Sequence, residues 1–160
     1  MVKKIELYEK ELDSVFKEQW EMLEKADYIS HSEIESLPKY GGIYVFYENK
    51  IPIYVGRTKN IRQRIQLHTR ESSKKDSATF AFNLAKMKYK SKFPDKKIKT
   101  RNLLMNDKEF IPLFKLEKDR VKKMQIKFIN EENDILQTML EPYLAHKLNT
   151  HPEYNTFETH

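Results

Sequence analysis

The spacing of apolar residues predicts several amphipathic helices. From Ile5 to about Ala26, apolar residues recur at steps of three and four, as they do on one face of a helix. A single apolar stripe of this kind is typical of a surface helix that packs on a core. Further helices are predicted to begin at Thr58 or Asn60, at Asp76 or Ser77, in the later part of 107–121, and at Asn130.

Two short segments rich in β-branched and aromatic residues predict a β-hairpin. They lie at 43–47 and 51–55. The three residues between them favour a loop centred on Asn49, a residue type that tolerates the left-handed conformation. With that centre, Tyr44 lies directly opposite Tyr54, with their Cβ atoms about 5 Å apart on one face. Pro52 cannot donate to a ladder, so the second strand is expected at a sheet edge.

The rest of the pattern predicts a single α+β domain. Alternating apolar and polar residues at 124–128 indicate a third strand. Neither a repeat nor a linker rich in Gly, Pro or Ser divides the 160 residues. The expected fold is a small three-stranded antiparallel sheet flanked by helices. Residues 1–38 would add an N-terminal helical extension to a core at 41–155 that carries a basic insertion near 74–101.

Composition narrows the class of partner and compartment. Thirty Lys and Arg against 24 Asp and Glu give a net charge of +6, which favours a polyanionic partner. The absence of cysteine excludes disulfides and thiolate zinc sites and favours a cytoplasmic protein. The N-terminus turns charged before any apolar run develops, so neither a signal peptide nor a membrane span is expected.

Basic residues concentrate between positions 86 and 101, where Asp95 is the acidic exception and Tyr89 and Phe93 are interleaved. A solvated loop is the plain interpretation of such a run. The interleaved aromatic rings instead favour contact with a nucleic acid through phosphates and stacked bases. The residues predicted to bind nucleic acid are Arg57, Lys59, Arg62, Lys86, Lys88, Lys90, Lys92, Lys96 and Lys97.

Candidate chemistry surrounds the glycines, all three of which lie within 41–56. A chain this poor in glycine uses one where the backbone needs an unusual conformation or a close approach. Gly42-Ile43-Tyr44 is followed, after nine residues, by Tyr54-Val55-Gly56. Arg64 and His68 come next, four residues apart and therefore on one face of a helix.

This arrangement resembles the GIY-YIG endonuclease family. Glu141 and Asn155 extend the resemblance, because they fall in the order and approximate separation of that family's metal-binding Glu and late Asn. Val55 replaces the Ile of the second triplet, an exchange of similar volume. The resemblance implies a DNA endonuclease that uses Mg²⁺ or Mn²⁺. It also implies that Asn155 braces the site through hydrogen bonds.

The residue types suit phosphodiester hydrolysis. Beside a divalent cation and Arg64 a phenolate is favoured, so either Tyr44 or Tyr54 could deprotonate or orient the water. Arg64 presents a planar fork for two oxygens of one phosphate, and His68 lies within reach of the same phosphate. Glu141 would bind the metal ion, whose remaining ligands would be water and phosphate oxygens.

Two structural expectations accompany this site. Gly42 and Gly56 are expected to leave an opening for substrate or metal beside the tyrosines. Pro142 disfavours a helical conformation at Glu141 and could re-aim its carboxylate. The alternative ligands in that case are Glu131, Glu132 and Asp134.

Several functional alternatives fit the same residues. A restriction-type enzyme competes with a nuclease of repair or of a mobile element, and a homodimer or two sequential events would be needed to cut both strands. A different class is a nucleic-acid-binding protein that uses the fold without catalysis. The charge is also compatible with RNA as the partner.

Overall fold

The sheet has three antiparallel strands, in which the segment 42–48 lies between the segments 51–58 and 125–130. The computed structural model describes residues 2–97 and 100–155, with side chains from residue 10 onward, so the side chain of Ile5 lies outside it. The strands are β1 (Gly42–Glu48), β2 (Ile51–Thr58) and β3 (Gln125–Asn130). The helices are α1 (Val2–Lys25), α2 (Ile61–Thr69), α3 (Thr79–Lys92), α4 (Arg101–Leu104), α5 (Phe110–Lys123) and α6 (Asp134–Lys147), with a 3₁₀ turn at His31–Ser36.

The register of the hairpin differs from the prediction. Its turn contains two residues, Asn49 and Lys50, both with positive φ, at 53° and 65°. A turn of this kind matches the natural twist of two antiparallel strands. Between Phe46 and Tyr47 the register shifts by one further residue of β2, so Tyr44 pairs with Gly56 and Tyr54 pairs with Phe46. The predicted direct pairing of the two tyrosines is wrong, although the period-2 alternation of a strand still places both on one face of the sheet.

Helices cover both faces of the sheet. The apolar run along β1 requires this, because successive side chains of a strand point to opposite faces. On one face, Tyr44 and Phe46 belong to a core shared with α2, α3 and α5. On the other face, Ile43 and Val45 belong to a core shared with α1 and α6. The predicted α+β fold, with three antiparallel strands and an added N-terminal helix, is confirmed.

Two helices differ in extent from the predicted ones. Helix α3 continues to Lys92, so the first half of the basic stretch is helical. Helix α6 begins after Asn133, whose side-chain oxygen accepts hydrogen bonds from the backbone N–H groups of Ile135 and Leu136. The predicted cap, Asn130, is instead the last residue of β3. Pro142 lies within α6.

Among the described residues, no helix combines the length and the apolar character that a membrane span requires.

Candidate active site

Three predicted residues meet at the hydroxyl of Tyr44. The Nε2 atom of His68 lies 2.8 Å from it, and Nε of Arg64 donates to it at 3.2 Å. Tyr44 projects from the central strand, and the other two side chains project from one face of α2. The Tyr44 side chain is fully buried, with 1% of the residue exposed. The four-residue spacing of Arg64 and His68 therefore brings both onto one phenol.

Gly56 makes room for this phenol. A Cβ atom at position 56 would lie 2.3 Å from the hydroxyl oxygen of Tyr44 and 2.4 Å from Cζ. The ring therefore fills the space where the sequence predicted an opening for substrate. At Gly42 a Cβ would lie 2.0 Å from the carbonyl oxygen of Ile129, so that glycine permits close approach of β3. None of the three glycines has a positive φ.

The guanidinium of Arg64 is held from three sides. Besides the bond to Tyr44, its Nη1 donates to the carbonyl of Ser77 at 3.2 Å, and its Nη2 donates to Oγ1 of Thr79 at 3.0 Å. The sequence predicted a fork directed at a phosphate. In the structure, each of the three guanidinium nitrogens donates one hydrogen bond within the protein. Only the remaining N–H groups of Arg64 are available to a substrate.

Tyr54 is the more accessible of the two tyrosines. It is half-buried, and its ring stacks on Phe80 with centroids 4.4 Å apart. The ring centroids of Tyr54 and Tyr44 are 6.4 Å apart. Burial raises the pKa of both phenols, that of Tyr44 to about 12, where the charge of Arg64 opposes the rise. Both are therefore neutral near pH 7, and the site must favour a phenolate by added positive charge.

His68 is a neutral, buried imidazole. Burial, and then the charge of Arg64, hold its pKa well below the ordinary value of 6.5. Its Nδ1 atom has no hydrogen-bond partner among the described residues. Which of His68 and Tyr44 donates in the bond between them depends on which ring nitrogen carries the proton. Arg64, which is always protonated, donates to the Tyr44 oxygen with either tautomer of His68.

The depressed pKa of His68 predicts a loss of stability in acid. The unfolded chain takes up the proton near pH 6.5, whereas the folded protein resists it, so stability is present above that pH and falls below it. The expected contribution is up to about 1.4 kcal/mol per pH unit. Urea unfolding at pH 5, 6 and 7 measures it.

A matched pair of variants isolates this effect, because burial also lowers the pKa of His31. His68→Gln should flatten the dependence of unfolding free energy on pH below 6.5. His31→Gln, at a much less buried position, should flatten it less. An equal pH dependence in wild type and His68→Gln would show that His68 is protonated in the folded protein.

Glu141 lies on α6, across from β2. Nε of Arg57 lies 3.2 Å from Oε2 of Glu141, and the Glu141 side chain is 20% exposed. Burial raises the pKa of Glu141, and the charge of Arg57 opposes this. The helix runs through Pro142, so Glu141 keeps a helical backbone conformation. Of the nucleic-acid-binding candidates, Arg57 is thus the one that contacts the predicted metal ligand.

The donor set fits a hard cation with few protein ligands. Among the described residues there is no cluster of three His, Asp or Glu that could hold a metal ion. A cation at Glu141 would therefore complete its coordination with water and substrate oxygens, as Mg²⁺ commonly does. Two of the alternative ligands have other contacts: Glu131 accepts from Gln19 and from the backbone of Asn133, and Asp134 pairs with Lys59.

Asn155 binds the exposed edge of β2. Its Oδ1 accepts from the N–H of Val55 at 2.9 Å, and its Nδ2 donates to the carbonyl of the same residue at 2.7 Å. Thr150 donates a further hydrogen bond to Oδ1. A side-chain amide thus satisfies both backbone groups of the residue between Tyr54 and Gly56.

Many of the predicted nucleic-acid-binding residues form contacts within the protein. Lys59 pairs with Asp134, Lys88 with Glu117, Lys96 with Glu109, and Arg62 with Glu35 and the carbonyl of Leu37. Lys86, Lys90, Lys92 and Lys97 are exposed. Tyr89 is buried and Phe93 packs against the core, so these rings serve packing and not base stacking.

The residues that hold Arg64 are not evident from the sequence. Thr79 is the first residue of α3, and Ser77 contributes only its backbone carbonyl. A backbone contact leaves no trace in residue type, and a lone threonine at a helix start is typical of ordinary capping. For Phe80, on which Tyr54 stacks, the apolar spacing predicts only a place on the buried face of a helix.

A known family model matches the part of the chain that carries the first four site residues. Residues 40–101 match the family model of the GIY-YIG catalytic domain. That stretch contains the two tyrosines, Arg64 and His68, whereas Glu141 and Asn155 lie beyond it. The search of curated proteins finds no match.

Among solved structures, three of the GIY-YIG N-terminal endonuclease domain of UvrC from Thermotoga maritima are similar to this chain. They are point mutants bound to the catalytic divalent cation. Sequence identity is 15–17%, with 78% of this chain and 92–93% of the other chain covered. The TM-scores are 0.38–0.39.

Proposed function

Because residues 40–101 form a GIY-YIG catalytic domain, we propose that this protein is a metal-dependent DNA endonuclease that hydrolyses phosphodiester bonds. The match confirms the family and the class of enzyme, a nuclease, predicted from the sequence. The observation that carries the finer proposal is the Tyr44 hydroxyl, which is bound by Arg64 and His68 and lies behind the half-exposed Tyr54.

The two phenols have different roles in this proposal. Tyr54 is the one with access to solvent, so we assign it the contact with the attacking water. Tyr44 lies behind it, and Arg64, which donates to its oxygen, favours negative charge there. A preorganised donor at the reacting group needs no rearrangement during the reaction, which is a main source of catalytic power.

Glu141 would hold the divalent cation, with Arg57 beside it. When bound, such a cation supplies positive charge that lowers the pKa of nearby water and phenol and stabilises the leaving oxygen. The Arg57 guanidinium contacts Oε2 of Glu141, so it must share or release the carboxylate when the cation binds. Its charge then becomes available to a phosphate.

Cleavage assays test the proposal directly. The purified protein is incubated with supercoiled plasmid and with single-stranded, duplex and branched oligonucleotides, with Mg²⁺ or Mn²⁺ and with EDTA. Cleavage that requires the metal supports the proposal. A protein that shifts DNA but cuts none of these substrates is a binding protein, and preferential retention of RNA at matched salt would change the substrate class. With the plasmid, a nicked product indicates that one strand is cut, and a discrete linear product indicates that both strands are cut.

Removing the Thr79 hydroxyl should impair catalysis more than substrate binding. Thr79→Val keeps the shape but leaves the Nη2 atom of Arg64 without one partner, so its guanidinium is less firmly placed beside Tyr44. We expect about a tenfold fall in kcat with KM for DNA nearly unchanged. Thr79→Ser should restore the rate. A fall in Tm with an unchanged kcat would assign Thr79 a structural role only.

Exposed lysines of α3 are the proposed contacts with the DNA backbone. For Lys86 and Lys90, the described residues provide no ion-pair partner, and their four-residue spacing places them on one face. The double variant Lys86→Ala/Lys90→Ala should weaken binding across sequences and lower the salt dependence by about two phosphate contacts.

A matched control for these lysines lies on α1. Lys10→Ala/Lys17→Ala removes the same charge from two exposed residues of another helix. Fluorescence anisotropy with a labelled duplex at several salt concentrations measures both double variants. An equal loss of DNA affinity in both double variants would mean that the net charge of the protein, and not the position of the lysines, determines binding.

A further inference from the structure

A cavity of about 620 Å³ lies apart from the active site. Its walls are segment 71–75, α4 with the residues that follow it, and the first half of α5. None of Tyr44, Tyr54, Arg64, His68 and Glu141 lines it. The volume is within the range of sites that bind small organic ligands.

The cavity combines an apolar surface with an aromatic ring. Met105, Ile111 and Phe114 line it, and Ile111 is 45% exposed. Phe114 belongs to the core, so its ring is held in place by its neighbours. Phe114 is only 4% exposed, so it forms a rigid wall, and Met105 and Ile111 provide the accessible apolar surface on which a flat ring of a ligand can lie.

The rim of the cavity is basic. Lys74, Lys75, Lys115 and Lys118 line it, together with Glu71 as the acidic residue. Lys75 pairs with Asp76, and Lys115 pairs with Glu71. Lys118 is fixed, because its ammonium lies 5.0 Å from the Phe114 ring centroid and donates to the carbonyl of Glu71. For Lys74, residues 2–97 and 100–155 provide no ion-pair partner. Positive charge beside an apolar surface favours a ligand that is both aromatic and anionic.

Neutral polar groups complete the lining. The side chains of Asn102 and Asn106 are amides on exposed residues, and an amide can both donate to and accept from the edge of a base. Ser73 also lines the cavity, and its buried hydroxyl has no hydrogen-bond partner among the described residues. A buried hydroxyl without a partner is uncommon in proteins.

We propose that this cavity binds a nucleoside monophosphate, with the base against Met105 and Ile111 and the phosphate at the lysines. The ligand is either a free nucleotide or one nucleotide of a DNA strand, and the second source rests on the proposed function. One segment of the chain, 71–77, runs from the cavity wall to the active site. Arg64 donates to the carbonyl of Ser77, and Arg101 donates to that of Lys75, in the wall of the cavity.

Calorimetric titration of the full chain with dAMP, dTMP and AMP tests for the free nucleotide. We expect saturable binding with one site per chain, weakened at least tenfold in Lys74→Glu/Lys115→Glu, whose side chains are exposed. Lys10→Glu/Lys17→Glu changes the net charge equally at a distant helix and should bind as wild type does. Asn106→Trp, which would fill the cavity from an exposed position, should also abolish binding.

A second measurement tests for a nucleotide of DNA. 2-Aminopurine is placed at successive positions of a duplex, and its fluorescence is followed on binding of the cleavage-deficient Glu141→Gln variant. A rise at one position that disappears when Asn106→Trp is added to this variant identifies the strand as the source. Saturable binding of free nucleotides without such a rise identifies the small molecule.

Two results would overturn the proposal. The first is the absence of both nucleotide binding and a 2-aminopurine signal. The second is binding of inorganic phosphate as tightly as dAMP, because the apolar surface would then contribute nothing. If wild-type protein cuts DNA in these circumstances, the nuclease proposal stands and only the cavity assignment fails. If nucleotides bind but no DNA is cut, the cavity assignment stands and the nuclease proposal fails.

Discussion

Replacing Glu141 by glutamine should reduce metal-dependent cleavage by about 10³-fold or more while DNA binding persists. Glutamine keeps the size of the side chain but removes the charge that attracts a divalent cation, and a bound cation contributes several kcal/mol to such a transition state. The fold should be little changed, because the ion pair between Glu141 and Arg57 is partly exposed to solvent. Titration with Mn²⁺, followed by electron paramagnetic resonance, measures the loss of metal binding independently of activity.

The controls for Glu141 lie on the same part of the chain. Glu132→Gln and Asp134→Asn remove equal charge at two exposed positions that the sequence offers as alternative ligands. Both should bind Mn²⁺ and cut DNA as wild type does. If Glu141→Gln cuts normally and one of these does not, the metal ligand is misassigned and the cation lies nearer the start of α6.

Adding one methyl group at Gly56 should disable the enzyme. In Gly56→Ala the new Cβ would overlap the Tyr44 hydroxyl and ring, at 2.3 and 2.4 Å, so the phenol must move away from His68 and Arg64. Overpacking of this kind costs about 1–3 kcal/mol of stability. A displacement of about 1 Å at a catalytic group lowers the rate by about 10²-fold. Urea unfolding and single-turnover cleavage measure the two effects.

Gly41→Ala is the comparison for this substitution. Its Cβ would first meet the end of the Gln137 side chain, at 2.9 Å, which can move, although the Thr58 carbonyl at 3.2 Å leaves little room. We expect a smaller loss of stability and nearly normal single-turnover cleavage. Equal loss of activity in both variants would mean that the effect of Gly56→Ala is general destabilisation and not displacement of Tyr44.

The parts of the site predicted from the sequence are those encoded by local periodicity. The four-residue step from Arg64 to His68 places both on one helix face, and the structure brings both to Tyr44. This relation follows from the geometry of a single helix, so residue spacing is sufficient to predict it. Tyr44 and Tyr54 share one face of the sheet because the two-residue turn and the register shift between Phe46 and Tyr47 together displace the predicted pairing by two residues.

The features that the sequence does not predict correctly depend on contacts between elements. The register of the hairpin depends on the two-residue turn, in which Asn49 and Lys50 both have a positive φ, and on the register shift between Phe46 and Tyr47. The Arg64 fork is occupied by Ser77 and Thr79 because α3 begins beside α2. The charge of the basic stretch indicates nucleic-acid contact throughout, but Tyr89 is buried in the core beneath it.

The sequence by itself determined the α+β class, the resemblance to the GIY-YIG family and the shared helix face of Arg64 and His68, because glycine positions and the 2.0 and 3.6 periodicities are local properties of the chain. The tertiary structure alone decided that Gly56 makes room for the Tyr44 ring and that Arg64 is held by the start of α3. It also decided that Arg57 pairs with Glu141, 84 residues away in the chain. These features arise where distant segments compete for the same space and the same hydrogen bonds, and no local pattern records which of them prevails.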